Sequence, residues 1–246
     1  MRFSILTYNI HKGFSQGSEF TLHDMRDALK QQSPDILFLQ EVQGEHKAKQ
    51  DNIAQWPLES QLEFLSDSHW QHQIYAKNAV YKQGHHGNGI ASKHEIQRWE
   101  NINVAMNKAA SRSLLHAEIQ LPDSDQKLHV ICAHLGLFEA EREKQIAMLS
   151  ERIESHVPHD EPLIIAGDFN DWRKRVGQYL QEHLELKEVF LEQQGKHAKT
   201  FPAVLPALSV DRIYYRGLDL IKGERLTGKP WTGLSDHIPL LAEFEI

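Results

Sequence analysis

A single cysteine, Cys132, stands in 246 residues, which excludes any disulfide within the chain. It lies in the apolar run Val130-Ile131-Cys132-Ala133, where core packing is its expected role and a reducing compartment its expected setting. Basic charge is also short: 27 Lys and Arg face 34 Asp and Glu, a formal net charge of -7. That balance argues against holding nucleic acid by bulk electrostatics, although a local basic groove stays open. Apolar stretches nowhere approach the roughly 18 residues of a membrane-crossing helix, and the alternating N-terminus lacks the apolar core of a signal peptide. A soluble cytoplasmic protein is expected. No Gly/Ser-rich linker, internal repeat or low-complexity tract appears, and the nine Pro and 14 Gly are scattered. One domain over 1–246, monomeric and large enough to bury a substantial core, is the reading of organisation.

The alternation Phe3, Ile5, Tyr8, Ile10 predicts a first strand that ends in polar Thr7-Tyr8-Asn9. Thr21 is placed to cap a helix running to about Gln31, with Leu22, Met25, Ala28 and Leu29 on one face and Pro34 beyond it. Ile36-Leu37-Phe38-Leu39 reads as a strand buried on both faces, ending at Gln40-Glu41. Further strands are predicted near 72–81, 88–92, 96–104, 112–121 and 127–134. An amphipathic helix near 139–155 carries Ile146, Leu149 and Ile153. Leu163-Ile164-Ile165-Ala166 is again a doubly buried strand, followed by a helix near 174–184 and strands near 210–215, 218–226 and 239–246. This mixture predicts an α/β fold in which two mixed sheets pack face to face with helices outside.

Polar clusters sit where the buried strands open. Gly167-Asp168-Phe169-Asn170 places a carboxylate and an amide two residues apart, a spacing that lets both face one side, although Gly, Asp and Asn are also ordinary turn residues. Asp236-His237 pairs an acceptor with the side chain best suited to proton transfer near neutral pH. Glu41 follows four buried residues, where a carboxylate needs a positive partner: a divalent cation, or an arginine. His134 and Asn9 end apolar strands and, taken alone, read first as satisfied structural residues, while Asp211-Arg212-Ile213 reads as a plain ion pair or as an Asp that orients an imidazole. Arg112 is a candidate phosphate clamp or a surface ion pair. Arg173-Lys174-Arg175 reads more simply as a solvated helix start than as a polyanion site.

Taken in order, Thr7-Tyr8-Asn9-Ile10, Leu39-Gln40-Glu41, Gly87-Asn88-Gly89-Ile90, Ala133-His134-Leu135-Gly136, Gly167-Asp168-Phe169-Asn170, Asp211-Arg212-Ile213 and Ser235-Asp236-His237 resemble the endonuclease/exonuclease/phosphatase, or DNase I-like, superfamily. That superfamily includes pancreatic-type DNases, abasic-site endonucleases, neutral sphingomyelinases and inositol-polyphosphate phosphatases, and this chain looks like a small bacterial-type member. The resemblance spans about residues 3 to 246 and implies a four-layer α/β sandwich and Mg²⁺- or Mn²⁺-dependent phosphoester cleavage. It implies Glu41 as the principal metal ligand, with Asn9 beside it and Asp236 next to the metal. Asp168 would deprotonate the attacking water, Asn170 would bind the scissile phosphate with Asn9 and Arg112, and His237 would stabilise the developing charge. Asp211 would fix the tautomer of His237, and His134 would lie near the leaving group as an acid.

Two departures qualify the resemblance. The region near Lys77-Asn78 offers no acid to orient His134, and the His134 segment replaces the tyrosine-containing one of abasic-site endonucleases. With the negative net charge, these features favour a small-molecule or lipid-derived phosphodiester over a nucleic acid, with a DNA or RNA nuclease as the alternative. Phe14, Phe20, Trp56, Trp70, Trp172, Phe201 and Trp231 lie on or near predicted loops, where substrate stacking and core packing explain them equally well. The loop Thr200-Phe201-Pro202-Ala203-Val204-Leu205-Pro206 is a candidate cleft wall. Two rivals from other classes are a serine hydrolase at Ser15 in Gly13-Phe14-Ser15-Gln16-Gly17, and a non-catalytic binding module.

Overall fold

A computed structural model describes residues 1–106, 112–122 and 126–246. The strands are β1 (Arg2–Asn9), β2 (Ile36–His46), β3 (His72–Tyr81), β4 (Gly84–Ser92), β5 (Glu95–Asn103), β6 (Ser113–Gln120), β7 (Lys127–His134), β8 (Leu163–Asp168), β9 (Lys187–Glu188), β10 (Asp211–Arg216), β11 (Asp219–Arg225) and β12 (Leu240–Glu245). The helices are α1 (Leu22–Gln32), α2 (Lys47–Asn52), α3 (Gln61–Ser66), α4 (Glu139–His156), α5 (Arg175–Leu184), α6 (Val189–Gln194) and α7 (Trp231–Leu234), with a 3-10 turn at His11–Gly13.

Two six-stranded sheets form, in the orders β11-β12-β1-β2-β4-β3 and β5-β6-β7-β8-β10-β9. Each has one parallel pair at its centre, β1 with β2 and β7 with β8, surrounded by antiparallel neighbours. The period-2 geometry of strands sorts the side chains into layers. Between the sheets lie Phe3 and Ile5 of β1, Ile36 and Phe38 of β2, Val130 and Cys132 of β7, Ile164 and Ala166 of β8, and Ile213 of β10. The alternate residues Leu37 and Leu39 pack outward with α1 and α3 residues, while Ile131, Leu163 and Ile165 pack outward against α4 and α5. Helix, sheet, sheet and helix are the four layers expected.

The same parity aims the functional candidates. Continuing the inward set by two residues at a time leads to Asn9 on β1, His134 on β7, Asp168 on β8 and Asp211 on β10, all at one end of the sandwich. Gly167 makes this approach possible: its φ is +149°, and a Cβ there would lie 1.9 Å from the Ala133 carbonyl oxygen. Cys132 is fully buried, takes a hydrogen bond from Gln40, and has its thiol pushed up to about 12 by burial, in keeping with a packing role.

Several local expectations are revised. β2 does not stop at Gln40-Glu41: Glu41 takes a left-handed φ of 57°, the register with β4 shifts there, and the strand resumes to His46. Thr21 precedes α1 but does not cap it through its side chain, since its hydroxyl donates to the Leu234 carbonyl at 2.6 Å and so ties α1 to α7. Trp70 is a core residue, 1% exposed, with its indole N–H on the Pro34 carbonyl at 2.8 Å. Ser111, beside Arg112, lies outside the described residues. Among the described residues no helix is long and apolar enough to cross a membrane.

Candidate active site

Asp168 is the hub. Its Oδ2 accepts a hydrogen bond from Asn9 Nδ2 at 3.1 Å and lies 3.6 Å from His134 Nε2 and 3.9 Å from His237 Nε2. Its Oδ1 accepts from the Asn170 backbone N–H at 2.9 Å, a turn closed by the left-handed φ of 50° at Asn170. Burial raises the carboxyl, Asp211 adds to this, and His237 with the two amide donors opposes it, leaving Asp168 at about 6.

His237 lies across from it on the loop entering β12. Its Nδ1 donates to Asp211 Oδ2 at 2.8 Å, and Nε2 points between Asp168 and Asp236, the latter 4.0 Å away. Burial alone would lower the imidazole, but Asp211, then Asp168 and Asp236, lift it to about 10, so the ring is a charged double donor at neutral pH. Phe201 packs on the same ring at 5.0 Å, placing the Thr200–Pro206 loop beside the site. Ser235 Oγ donates to the Asn9 carbonyl at 2.8 Å and accepts from His237 N–H, fastening this loop to β1.

His134 behaves oppositely. Burial and the Arg112 guanidinium hold it well below its ordinary value, outweighing the pull of Glu41. Arg112 Nη1 donates to its Nδ1 at 3.4 Å, which leaves the N–H of the neutral ring on Nε2, facing Asp168. The partner missing near Lys77-Asn78 is thus an arginine from the start of β6, not an acid.

Glu41 stands one residue beyond Gln40, which pairs with Asn9 across the parallel β1–β2 ladder. Burial opposes its ionisation, but His134 and the Lys12 ammonium hold its carboxyl at about 2. Since His134 is neutral near pH 7, Lys12, 3.0 Å from Glu41 Oε2, carries that effect there. Asp211 Oδ1 is buried without a hydrogen-bond partner and Glu41 Oε2 meets the Lys12 ammonium, and with Asn9 and Asp236 the donors are all oxygens, a set that fits a hard divalent cation. Among the described residues the group of three His, Cys, Asp or Glu side chains close enough to share an ion is instead Asp168, Asp211 and His237, but its imidazole already donates to Asp211 and carries positive charge.

The arrangement brings together Asn9, His134, Asp168, Asn170, Asp211, Asp236 and His237, with Arg112 behind His134. His11 and Lys12 also adjoin this set and are not among the sequence candidates. His11 N–H donates to Asn9 Oδ1 at 3.1 Å, and its Nδ1 lies 3.8 Å from Asp236 Oδ1, so the His11-Lys12 pair directly after Asn9-Ile10 was the available signal. Ser15 does not form a nucleophile elbow: its Oγ accepts from the Glu19 N–H in a tight loop, and no histidine hydrogen-bonds to it among the described residues. Arg173 and Arg175 both pair with Glu139, in keeping with a solvated helix start.

The family model described as Endonuclease/Exonuclease/phosphatase family matches residues 6–237. YbhP of Escherichia coli K12, an uncharacterized protein, is 42% identical over 245 residues, covering 99% of this chain and 96% of YbhP. A Beutenbergia cavernae endonuclease/exonuclease/phosphatase structure superposes with a TM-score of 0.77 at 15% identity, over 100% of this chain and 72% of that one. Danio rerio TDP2, solved with a single-strand DNA product, gives 0.73 at 20% identity, over 100% and 99% of the two chains. Sequence match and two-sheet architecture agree, and the chain belongs to the endonuclease/exonuclease/phosphatase family.

Proposed function

We propose that the chain is a divalent-metal-dependent phosphoester hydrolase that prefers phosphodiesters to phosphomonoesters. The observation that carries this reading is the convergence of Asn9, His134 and His237 on one Asp168 carboxylate, 3.1, 3.6 and 3.9 Å away. Glu41, Asn9 and Asp236 are the residues that would hold Mg²⁺ or Mn²⁺. Such a cation, when bound, neutralises charge on the scissile phosphate.

The remaining chemistry falls to the side chains. Asp168, ionised above about 6, accepts a proton from the attacking water as the new P–O bond forms. Asn170 gives one amide proton to the Leu135 carbonyl at 3.0 Å and has a second for a phosphate oxygen. His237, clamped by Asp211, turns a charged Nε2–H toward the oxygens on which negative charge grows. His134 offers a neutral Nε2–H to the leaving oxygen as the old P–O bond breaks. Because this imidazole resists protonation, hydrogen bonding to the leaving group is a better role for it than full proton donation.

A small-molecule or lipid-derived phosphoester is the favoured substrate, in keeping with the net charge of -7. The test is turnover of bis-p-nitrophenyl phosphate, p-nitrophenyl phosphate, single-stranded DNA, RNA, lysophospholipid and sphingomyelin with Mg²⁺, Mn²⁺ or EDTA. Metal-dependent diester hydrolysis is expected. Turnover unaffected by EDTA, or none on any phosphoester, contradicts the proposal.

A further inference from the structure

The wall of the cleft on the Glu41 side carries more positive charge than the reaction just proposed uses. Lys12 lies 3.0 Å from Glu41. Lys49, on α2, holds its ammonium 4.4 Å from the centre of the Phe14 ring and 5.3 Å from that of Trp56, and it senses both Lys12 and Glu41. Those rings are themselves fixed, Phe20 stacking on Trp56 at 5.1 Å and lying 5.5 Å from Phe14. A lysine side chain otherwise surrenders considerable rotamer freedom when it is ordered, and here the rings have already ordered it.

His86 completes the wall. It stands two residues before Asn88 on β4, whose Nδ2 reaches across the sandwich to the Ser113 carbonyl at 3.1 Å, next to Arg112. His85, the residue before His86, alternates to the opposite face and meets the Tyr75 hydroxyl at 3.0 Å. His86 therefore faces inward, where Lys12, Glu41, Arg112 and Lys49 all act on it. His86 Nδ1 and Arg112 Nε are buried without hydrogen-bond partners.

Among the described residues neither Lys49 nor Arg112 has a carboxylate within ion-pair distance, and burial, then Lys12, pushes the Lys49 ammonium down to about 8, so that at neutral pH it stays mostly charged with only Glu41 acting in its favour, in a chain whose net charge is -7. A phosphodiester brings a single negative charge, which Asn170, His237 and a bound cation would receive. Buried donors left unpaired cost free energy, and a second anionic group would satisfy them.

We propose that Lys12, Lys49, His86 and Arg112 form a second anion subsite, and that the substrate is a phosphoester bearing a further phosphate close to the scissile one. The substrate assignment rests on the hydrolase reading, whereas the subsite stands on its own geometry. Isothermal titration of metal-free protein in EDTA with inorganic pyrophosphate and with inorganic phosphate reads it directly. Pyrophosphate is expected to bind about tenfold more tightly than phosphate. Lys49→Met, which keeps the aliphatic stem on the rings, and His86→Gln are each expected to weaken pyrophosphate binding about tenfold, with Lys49→Arg restoring it. Native-like circular dichroism and melting establish that the variants are folded. Equal affinity for the two anions, or pyrophosphate binding unchanged in both variants, overturns the subsite. Turnover of bis-p-nitrophenyl phosphate by the wild type with Mg²⁺ is read separately. Pyrophosphate selectivity without any phosphoester turnover upholds the subsite and removes its assignment to a substrate, while turnover without that selectivity overturns the subsite and leaves the hydrolase.

Discussion

His237 donates its Nδ1–H to Asp211 Oδ2 across 2.8 Å, and this contact, against the opposing effect of burial, keeps the imidazole charged. The folded ring holds its proton up to about 10, against an ordinary value of 6.5. Its contribution to stability is therefore complete below pH 6.5 and is lost as pH rises through about 10. Asp211→Asn should lower the imidazole toward its ordinary value, move the alkaline limb of kcat to lower pH, and reduce kcat by about 10- to 100-fold. A pH–rate profile with an NMR titration of His237 checks this.

Acid stability has a different origin. His116 is pushed down to about 3 by burial, then by Arg152 and His129, which hydrogen-bond to its two nitrogens at 3.0 and 2.9 Å. An unfolded chain takes up this proton below about 6.5 while the native state resists it, so stability falls as pH drops from 6.5 toward 3. The His116 share should be on the order of a few kcal/mol across that window. His116→Phe should flatten the dependence of Tm on pH there, measured by calorimetry at several pH values.

Gly167→Ala should be strongly destabilising. A methyl group would meet the Ala133 carbonyl oxygen at 1.9 Å on the adjoining parallel strand, and φ is +149°. A loss of about 3 kcal/mol or more in urea unfolding is expected, with displacement of the neighbouring Asp168.

Glu41→Gln should act on metal use before chemistry. The half-saturating Mg²⁺ concentration should rise about tenfold or more, since the amide removes the ligand charge. An unchanged Mg²⁺ titration would take Glu41 out of the metal site.

Much of this architecture was legible because burial on both faces leaves a continuous apolar signature, as in Leu163-Ile164-Ile165-Ala166 opening into Asp168. The order of the polar clusters then pointed to the family. What escaped has physical causes. The bend at Glu41 depends on a left-handed backbone adopted by a non-glycine residue, which no periodicity announces, and β2 beyond it reads as polar chain. α2, α3, α6 and α7 have six residues or fewer, too short for a helical period, although Ser60 and Glu63 form a capping box that could have marked α3. Thr21 looked like a cap, but a carbonyl 213 positions away took its hydroxyl. Lys12 and Lys49 were hidden for the same reason: a lysine's partner is set by tertiary approach, here to Glu41 and to the rings of Phe14 and Trp56.

The central claim is that Asp168 is the base of a metal-assisted phosphoester hydrolysis. The most direct measurement is kcat for bis-p-nitrophenyl phosphate with saturating Mg²⁺, comparing the wild type with Asp168→Asn, which keeps the shape of the side chain and removes its basicity. A fall of about 10³-fold or more with native-like melting is the expected result. Near-wild-type turnover by Asp168→Asn would contradict the account.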